Sequence, residues 1–273
     1  MTRSTIVSGS DHRVEAEGGT LFARTWVPSS QRDESPILLF HDSLGSVALW
    51  REFPELLARA TGRRVVAYDR LGFGRSDVRT GPLAFDFIAA EAGVVPRVCE
   101  ALGIGNFVAF GHSVGGAMAI ATAARLGEQC EAVITVSAQS FAEERTLAGV
   151  RTARTAFAQP GRLERLARYH GDRARWVLDA WTGTWLAPEF AHWSLDDELR
   201  GVRCPVLAIH GDQDEYGSVE HAWRIARLTS GPSRAVMLDG CGHVPHREQP
   251  ERVLRETVGF LESTTSAPGG HAS

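Results

Sequence analysis

A serine framed by two glycines, Gly111-His-Ser113-Val-Gly115, is the first group in the sequence with the setting of a nucleophile. A serine hydroxyl is a weak nucleophile unless a general base accepts its proton and an acid orients that base. Two later segments carry such groups, namely His210–Asp214 (HGDQD) and Gly240–His246 (GCGHVPH). Serine, acid and histidine in this chain order favour nucleophilic catalysis of acyl transfer.

The surrounding chain alternates short apolar runs with helical segments. The runs are unbroken and rich in β-branched residues, as in parallel strands that are buried on both faces. They lie at residues 37–40, 64–68, 107–111, 132–136, 205–209 and 235–238. Helices are predicted at about residues 47–60, 85–102, 114–127, 218–229 and 248–262. This alternation predicts an α/β fold with a mostly parallel central sheet flanked by helices.

Ser113 then falls on a strand-to-helix turn, at the carboxyl end of a strand, where open α/β sheets carry their chemistry. So tight a turn strains the backbone, and Gly111 and Gly115 relieve the crowding around it. The hydroxyl would lie near a helix N-terminus, whose N–H groups favour developing negative charge. The alternative is an ordinary loop whose glycines serve only the turn. The acid and histidine segments also follow predicted strands, so the three side chains would converge above one sheet edge.

Composition excludes several classes of protein. The 273 residues suit one globular domain with an insertion, and a net charge of −4 does not indicate nucleic-acid binding. All 29 basic residues are arginine, which excludes lysine Schiff bases and Walker-type phosphate loops. Four widely spaced cysteines, with no apolar leader and no membrane-spanning stretch, predict a cytoplasmic protein that does not enter membranes.

No cofactor and no metal are expected. His170, His243 and His246 are candidates for a metal cluster, but Gly-His-Val-Pro-His is not helical, and no cysteine or carboxylate frame accompanies it. His112 and His210 stand at strand ends beside the candidate site. We interpret both as buried structural histidines.

The insertion at residues 139–200 breaks the alternation with helical runs and no convincing strand. So long a segment between two core strands predicts a helical cap over a site rather than a loop. We therefore predict an α/β core at residues 1–138 and 201–265, with the cap between them. The small, polar segment 266–273 is predicted to be a disordered tail.

The same insertion holds the clues to substrate. Trp181 and Trp185 are candidates for lining an apolar acyl pocket, although aromatic residues at helical spacing often only hold a core together. Arg162, Arg165 and Arg168 recur at three-residue steps and share one helix side. They form either a solvated face or a basic rim that steers an anionic substrate or an acidic acyl carrier protein.

Five blocks spread over nearly the whole chain resemble the α/β-hydrolase superfamily, whose fold includes a helical cap in many members. They are His41–Gly45 (HDSLG), Tyr68–Asp77 (YDRLGFGRSD), Gly111–Gly116, His210–Asp214 and Gly240–Glu251 (GCGHVPHREQPE). The chain is similar to carboxylesterases of the pimeloyl-carrier-protein methyl ester type and to enol-lactone hydrolases. The resemblance implies Asp214 as the acid, rather than Asp212 or Glu215, because the family's acid stands three residues after a glycine. It implies His243, in the Gly-His pair, rather than His246.

The loop after the first core strand departs from the family pattern. Where the family usually has His-Gly, an apolar residue and glycine, this chain has Asp42 in place of the first glycine. The resemblance implies an oxyanion hole of two backbone N–H groups, one from Val114 and one from Ser43 or Leu44. A carboxylate near the oxyanion would oppose catalysis, so we expect the Asp42 side chain to point away, as a helix cap or in an arginine pair.

The predicted function is hydrolysis of a small-molecule carboxylic ester, through an acyl-enzyme on a Ser113–His243–Asp214 triad. Lactonases, thioesterases and carbon–carbon bond hydrolases share this triad, so they stay open as alternatives. A non-catalytic ligand-binding homologue is a further alternative, which the intact triad disfavours.

Overall fold

One eight-stranded sheet organises the fold of the computed structural model, which describes residues 5–265. Its strands are β1 (Val7–Ala16), β2 (Gly19–Pro28), β3 (Ile37–Phe40), β4 (Val65–Tyr68), β5 (Phe107–His112), β6 (Cys130–Val136), β7 (Val206–Gly211) and β8 (Ser233–Leu238). β1 and β2 form an antiparallel hairpin, β2 pairs antiparallel with β4, and β3 to β8 are mutually parallel. The predicted α/β fold with a mostly parallel sheet is confirmed.

The strand order, β1-β2-β4-β3-β5-β6-β7-β8, creates a switch point between β3 and β5. From β3 the chain moves to β4 on one side and then to β5 on the other, so the loops after β3 and β5 diverge and leave a crevice. β3, β4, β5 and β7 are buried at every position, because helices cover both faces of the sheet. This crevice is where the predicted nucleophile turn and oxyanion loop meet.

Eleven α-helices are described between residues 5 and 265. They are α1 (Phe53–Thr61), α2 (Phe87–Glu91), α3 (Val95–Ala101), α4 (Val114–Leu126), α5 (Glu144–Phe157), α6 (Arg162–His170), α7 (Ala174–Trp185), α8 (Asp196–Gly201), α9 (Glu220–Leu228), α10 (Pro245–Glu248) and α11 (Pro250–Thr265). α1 and α11 share one hydrophobic core with one face of the sheet, and α2, α3, α4, α8 and α9 share another with the opposite face. None of these helices is long and apolar enough to cross a membrane.

Two predicted helices are each divided in the structure. The segment predicted at 47–60 contains a 3₁₀ turn and then α1, separated at Arg51, whose φ of 54° is incompatible with a continuing helix. The segment predicted at 85–102 is split into α2 and α3, and Pro96 lies at the start of α3, where a missing N–H is tolerated.

The insertion forms α5, α6, α7 and most of α8. Trp185, Phe190 and Leu195 from it join the hydrophobic core that contains α4. α8 packs directly against α4 and α9. The insertion is therefore anchored on the sheet rather than tethered as a free lobe, and its treatment as a separate cap stays a prediction. The predicted tail, residues 266–273, lies outside the described residues.

α4 approaches β3 more closely than a side chain would permit. A Cβ atom on Gly115 would overlap the backbone carbonyls of Phe40 and His41, and one on Gly116 would overlap the Ala138 side chain. Backbone atoms cannot move aside as a flexible side chain can, so these two glycines fix how near the helix lies to the sheet.

Gly115→Ala is expected to lower the free energy of unfolding by about 2–3 kcal/mol, because the added methyl overpacks against backbone. The matched control is Gly259→Ala, an exposed position inside α11 where an added Cβ meets nothing within 4 Å. That control should gain about 0.5–1 kcal/mol from reduced backbone entropy. Urea denaturation measures both; equal effects of the two substitutions would contradict the close packing.

Candidate active site

Ser113 lies on a strained turn between β5 and α4. Its φ of 56° and ψ of −128° are unusual for a residue with a side chain. The turn is held by the Ser113 N–H, which donates to the Val136 carbonyl at 2.9 Å, and by the Gly116 N–H, which donates to the Ser113 carbonyl at 2.8 Å. A Cβ on Gly111 would overlap the Gly115 backbone, so the glycine pattern has a steric cause.

The structure brings Ser113, His243 and Asp214 into one hydrogen-bonded chain. His243 Nε2 lies 3.1 Å from Ser113 Oγ, and His243 Nδ1 lies 2.8 Å and 2.9 Å from the two Asp214 carboxylate oxygens. Asp214 Oδ1 also accepts the backbone N–H groups of Tyr216 and Gly217. The acid is buried and fixed, so it orients the imidazole with Nδ1 protonated and Nε2 free to accept the serine proton.

Electrostatic interactions raise the pKa of His243 and lower the pKa of Asp214. Burial alone would lower the pKa of His243, but the hydrogen bond with Asp214 and the charges of Asp214, Glu215 and Asp42 raise it above the ordinary value. Burial alone would raise the pKa of Asp214, but the hydrogen bond with His243 and its charge lower it. The arrangement therefore favours an aspartate anion beside an imidazole that readily accepts a proton.

The rival histidines and acids surround the triad and form no hydrogen bond with Ser113 among the described residues, and His210 Nε2 lies 3.3 Å from Asp214 Oδ2. Burial lowers the pKa of His112 and of His210 to about 4, and each ring bonds a backbone carbonyl, that of His243 and of Gly217 respectively. His246 packs its ring 4.9 Å from that of Trp50, away from Ser113. Asp212 accepts the Gly240 N–H, and Glu215 is exposed at the cavity rim.

The loop after β3 is held from two sides. Arg70 donates to the Asp42 carbonyl at 2.8 Å, and His41 Nδ1 contacts the same oxygen at 2.8 Å. From the insertion, His170 Nδ1 accepts the Gly74 N–H at 2.9 Å while its Nε2 donates to the Leu44 carbonyl at 3.0 Å. His170 is thus a link between the insertion and the loop that carries the oxyanion candidates.

Ser43 and Leu44 line the same cavity as Ser113, and Val114 is the first residue of α4. The first N–H groups of a helix have no partner within the helix, so the Val114 N–H is available to a ligand. The arginine pair or helix cap that we expected for Asp42 is wrong, because its carboxylate makes no ion pair or hydrogen bond with any residue between 5 and 265. Asp42 itself lines the cavity.

The cavity above Ser113 has a volume of about 280 Å³. Its walls come from the loops after β3, β5, β6, β7 and β8 and from α5 and α7 of the insertion. Trp181 and Trp185, predicted as pocket candidates, both line it. Phe190 packs against Trp185 and Trp193 instead and stabilises the insertion.

Sequence reasoning missed Gln139, whose Oε1 lies 3.1 Å from Ser113 Oγ. It stands three residues after β6 and two residues after Ser137, whose φ of 49° turns the chain at the end of the strand. Tyr216 was also missed; its ring lies 4.8 Å from that of His243. Both follow the carboxyl ends of strands adjoining the site, and that position was the available signal.

A second serine, histidine and acid lie together outside the cavity. His221 Nε2 is 3.1 Å from Glu143 Oε1, and His221 Nδ1 accepts the Ser140 N–H at 3.1 Å. Because that backbone bond occupies Nδ1, the ring cannot act as a base for the Ser140 hydroxyl. Burial opposes ionisation of Glu143, but hydrogen bonds from His221 and Ser218 outweigh it and lower its pKa to about 2. This group joins the insertion to α9.

The sequence pattern of the α/β hydrolase fold family matches residues 35–182, more than half of the chain. The chain belongs to the α/β-hydrolase family. The members named below are hydrolases and esterases. The resemblance seen in the sequence blocks is confirmed at this level.

Three similar proteins illustrate the range of the family. The 2-hydroxy-6-oxo-2,4-heptadienoate hydrolase of Pseudomonas putida is 25% identical over 276 residues, which cover 91% of this chain and 98% of the relative. Carboxylesterase YbfK of Bacillus subtilis is 23% identical over 257 residues, covering 89% and 86%. The crystal structure of the enol-lactonase from Burkholderia xenovorans LB400 superimposes with a TM-score of 0.69 at 20% identity, covering 92% and 100%.

The pH dependence of ester hydrolysis should report the protonation of His243. Protonated His243 cannot accept the Ser113 proton, so kcat/KM should fall as the pH drops through a pKa above 6.5. Glu215→Gln removes one of the charges that raise this pKa, so the inflection should move to lower pH. Measuring kcat/KM from pH 5 to 9 for wild type, Glu215→Gln and the exposed control Glu189→Gln checks this; an inflection that Glu215→Gln leaves in place would contradict it.

Proposed function

We propose that this protein hydrolyses a carboxylic ester through an acyl-enzyme formed on Ser113. The observation that carries the proposal is the chain of hydrogen bonds from Asp214 through His243 to Ser113 Oγ, which opens on a cavity. A nucleophile, a base and an orienting acid within hydrogen-bond reach are the requirements of nucleophilic acyl transfer.

The reaction would begin when Ser113 Oγ attacks the acyl carbonyl and His243 Nε2 takes the serine proton. The oxyanion of the tetrahedral intermediate would accept N–H groups from Val114 and from Ser43 or Leu44. Imidazolium His243, stabilised by Asp214, would then protonate the departing alcohol. A water activated by His243 would attack the acyl-enzyme, and collapse of the second intermediate would release the acid and restore Ser113.

The substrate would be a small-molecule ester, since the cavity volume of about 280 Å³ suits a short acyl chain. Delivery on an acidic acyl carrier protein stays a prediction, for which the exposed arginines 162, 165 and 168 of α6 offer a positive surface. A cytoplasmic location also stays a prediction, supported by four cysteines without disulfides.

Ser113→Ala should lower kcat/KM for p-nitrophenyl esters by at least about a thousandfold, because no other nucleophile stands at the base. Ser140→Ala is the matched control, since Ser140 also contacts a histidine but lies outside the cavity. It should leave hydrolysis unchanged. Intact-protein mass spectrometry should detect an acyl adduct in wild type and none in Ser113→Ala. Hydrolysis retained by Ser113→Ala, or an inert wild type with every ester tested, would overturn the proposed function.

A further inference from the structure

The cavity above Ser113 is negatively charged. Two carboxylates line it, those of Asp42 and Glu215, and no arginine of residues 5–265 does. Neither carboxylate makes an ion pair or a side-chain hydrogen bond with a described residue. By contrast, most ion pairs among the described residues join an acidic side chain to an arginine. Arginine is abundant in this chain, but no described arginine lines the substrate cavity. This contrast indicates that the negative charge of the cavity has a role in substrate binding.

The backbone of Asp42 is held by buried partners, so the loop keeps this residue at the cavity. Arg70 and His41 both bond the Asp42 carbonyl, and the Gly45 N–H donates to it as well. A Cβ on Gly45 would overlap Asp42 Oδ1, so the loop glycine leaves room for the carboxylate. The loop therefore accommodates a charge that the sequence pattern of the family would not predict.

Gln139 is an independent sign that a polar acyl group is expected beside the nucleophile. Its side chain lines the cavity although the residue is only 3% exposed, and its Oε1 contacts Ser113 Oγ. Its amide nitrogen has no hydrogen-bond partner among residues 5–265. The single Ser113 proton can be donated to Gln139 Oε1 or to His243 Nε2. When it is donated to His243, Gln139 Oε1 has no donor, and an N–H group of the acyl chain would supply one.

Aromatic rings form the opposite wall. Trp181 and Tyr216 lie with ring centroids 5.9 Å apart, and Trp185 completes this side of the cavity. Aromatic faces attract cations, and they do so more strongly where water is excluded. Burial and the charges of Glu215, Asp214 and Asp42 raise the pKa of Tyr216, which places all three carboxylates within electrostatic reach of this wall.

We propose that Asp42 determines the charge preference of this cavity, so that the enzyme favours acyl groups bearing an ammonium group and rejects those bearing a carboxylate. The inference rests on the proposed ester hydrolysis at Ser113 and adds the substrate class. It distinguishes this chain from the Pseudomonas putida relative, whose named substrate is a carboxylate. Asp42 acts as the specificity-determining residue, Glu215 adds charge at the rim, and Gln139 accepts a hydrogen bond from the ammonium group.

Three nearby arginines lie outside the lining of the cavity. Arg70 is buried behind the loop, where its guanidinium bonds the Asp42 carbonyl and His41, and Glu91 balances its charge. Arg247 is exposed, donates to the Leu49 carbonyl and attracts the Asp42 charge without forming an ion pair with it. Arg145 is exposed on α5 and donates to the Asp214 carbonyl at 3.2 Å. The carboxylates of Asp42 and Glu215 are therefore the charged acidic groups that line the cavity itself.

The test is a matched set of ethyl esters at pH 7, in which the acyl chain ends in a methyl, an ammonium or a carboxylate group. Ethyl butanoate, β-alanine ethyl ester and monoethyl succinate are such a set. For wild type, kcat/KM should be highest for the ammonium ester and lowest for the carboxylate ester. The ratio between these two should exceed about tenfold, the scale of one fixed charge acting at short range near a protein surface.

Asp42→Asn should reduce the ammonium-to-carboxylate ratio by about tenfold. Asp42 also contributes to the raised pKa of His243, but that effect acts on all three esters equally and leaves the ratio unchanged. Glu215→Gln should reduce the ratio by less, because salt and water screen a charge at the rim. It also serves as the second variant if Asp42→Asn does not fold. Glu189→Gln, an exposed insertion residue outside the cavity, should leave the ratio unchanged.

The outcomes separate this inference from the proposed function. Hydrolysis of ethyl butanoate that depends on Ser113 but shows no preference for the ammonium ester overturns the charge preference and leaves the esterase standing. A wild-type preference that survives in both Asp42→Asn and Glu215→Gln overturns the assignment to these carboxylates. A preference for monoethyl succinate would overturn the inference, because it would show that the positive charge of the arginines in the insertion outweighs the negative charge of the two carboxylates. Absence of hydrolysis with all three esters overturns both proposals.

Discussion

The backbone turn at Ser113 is the constraint on which the rest of the structure depends. A positive φ at a serine is held only because β5, α4 and β3 pack closely enough to over-determine it. Gly111, Gly115 and Gly116 make that packing possible, and the loops after β3 and β6 are placed against the turn as a result. Strain at one residue thus sets where the base, the oxyanion donors and the cavity must lie.

Burial leaves the proposed nucleophile, Ser113, with a single candidate base. The pKa of every other histidine near the site is lowered, first of all by desolvation, so those rings stay neutral and structural. They are His41, His112, His170, His210 and His246. Only at His243 do a hydrogen-bonded carboxylate and neighbouring charges overcome burial and raise the pKa. Proton transfer is therefore concentrated at the one imidazole that contacts Ser113 Oγ.

The insertion covers the site and also supplies residues that line it and hold its loops. Trp181 and Trp185 supply the aromatic wall, and His170 fixes the Leu44 carbonyl on the loop after β3. Arg173 donates to the carbonyls of Gly74 and Ser76, so the loop after β4 is attached to the insertion as well. A change in the insertion would therefore move the proposed oxyanion donors as well as the pocket walls, so the proposed mechanism couples substrate choice to rate.

The sequence by itself determined the α/β alternation, the strand positions and the candidacy of Ser113, because buried strands and tight glycine turns impose local patterns. It did not determine the division of the helix at Arg51, the place of Gln139 beside Ser113, or the direction of the Asp42 carboxylate. Those depend on contacts between segments far apart in the chain, such as Arg70 with Asp42 and His170 with Leu44. Only the tertiary structure decides them, since the free energy of a side-chain position is set by neighbours that local sequence does not specify.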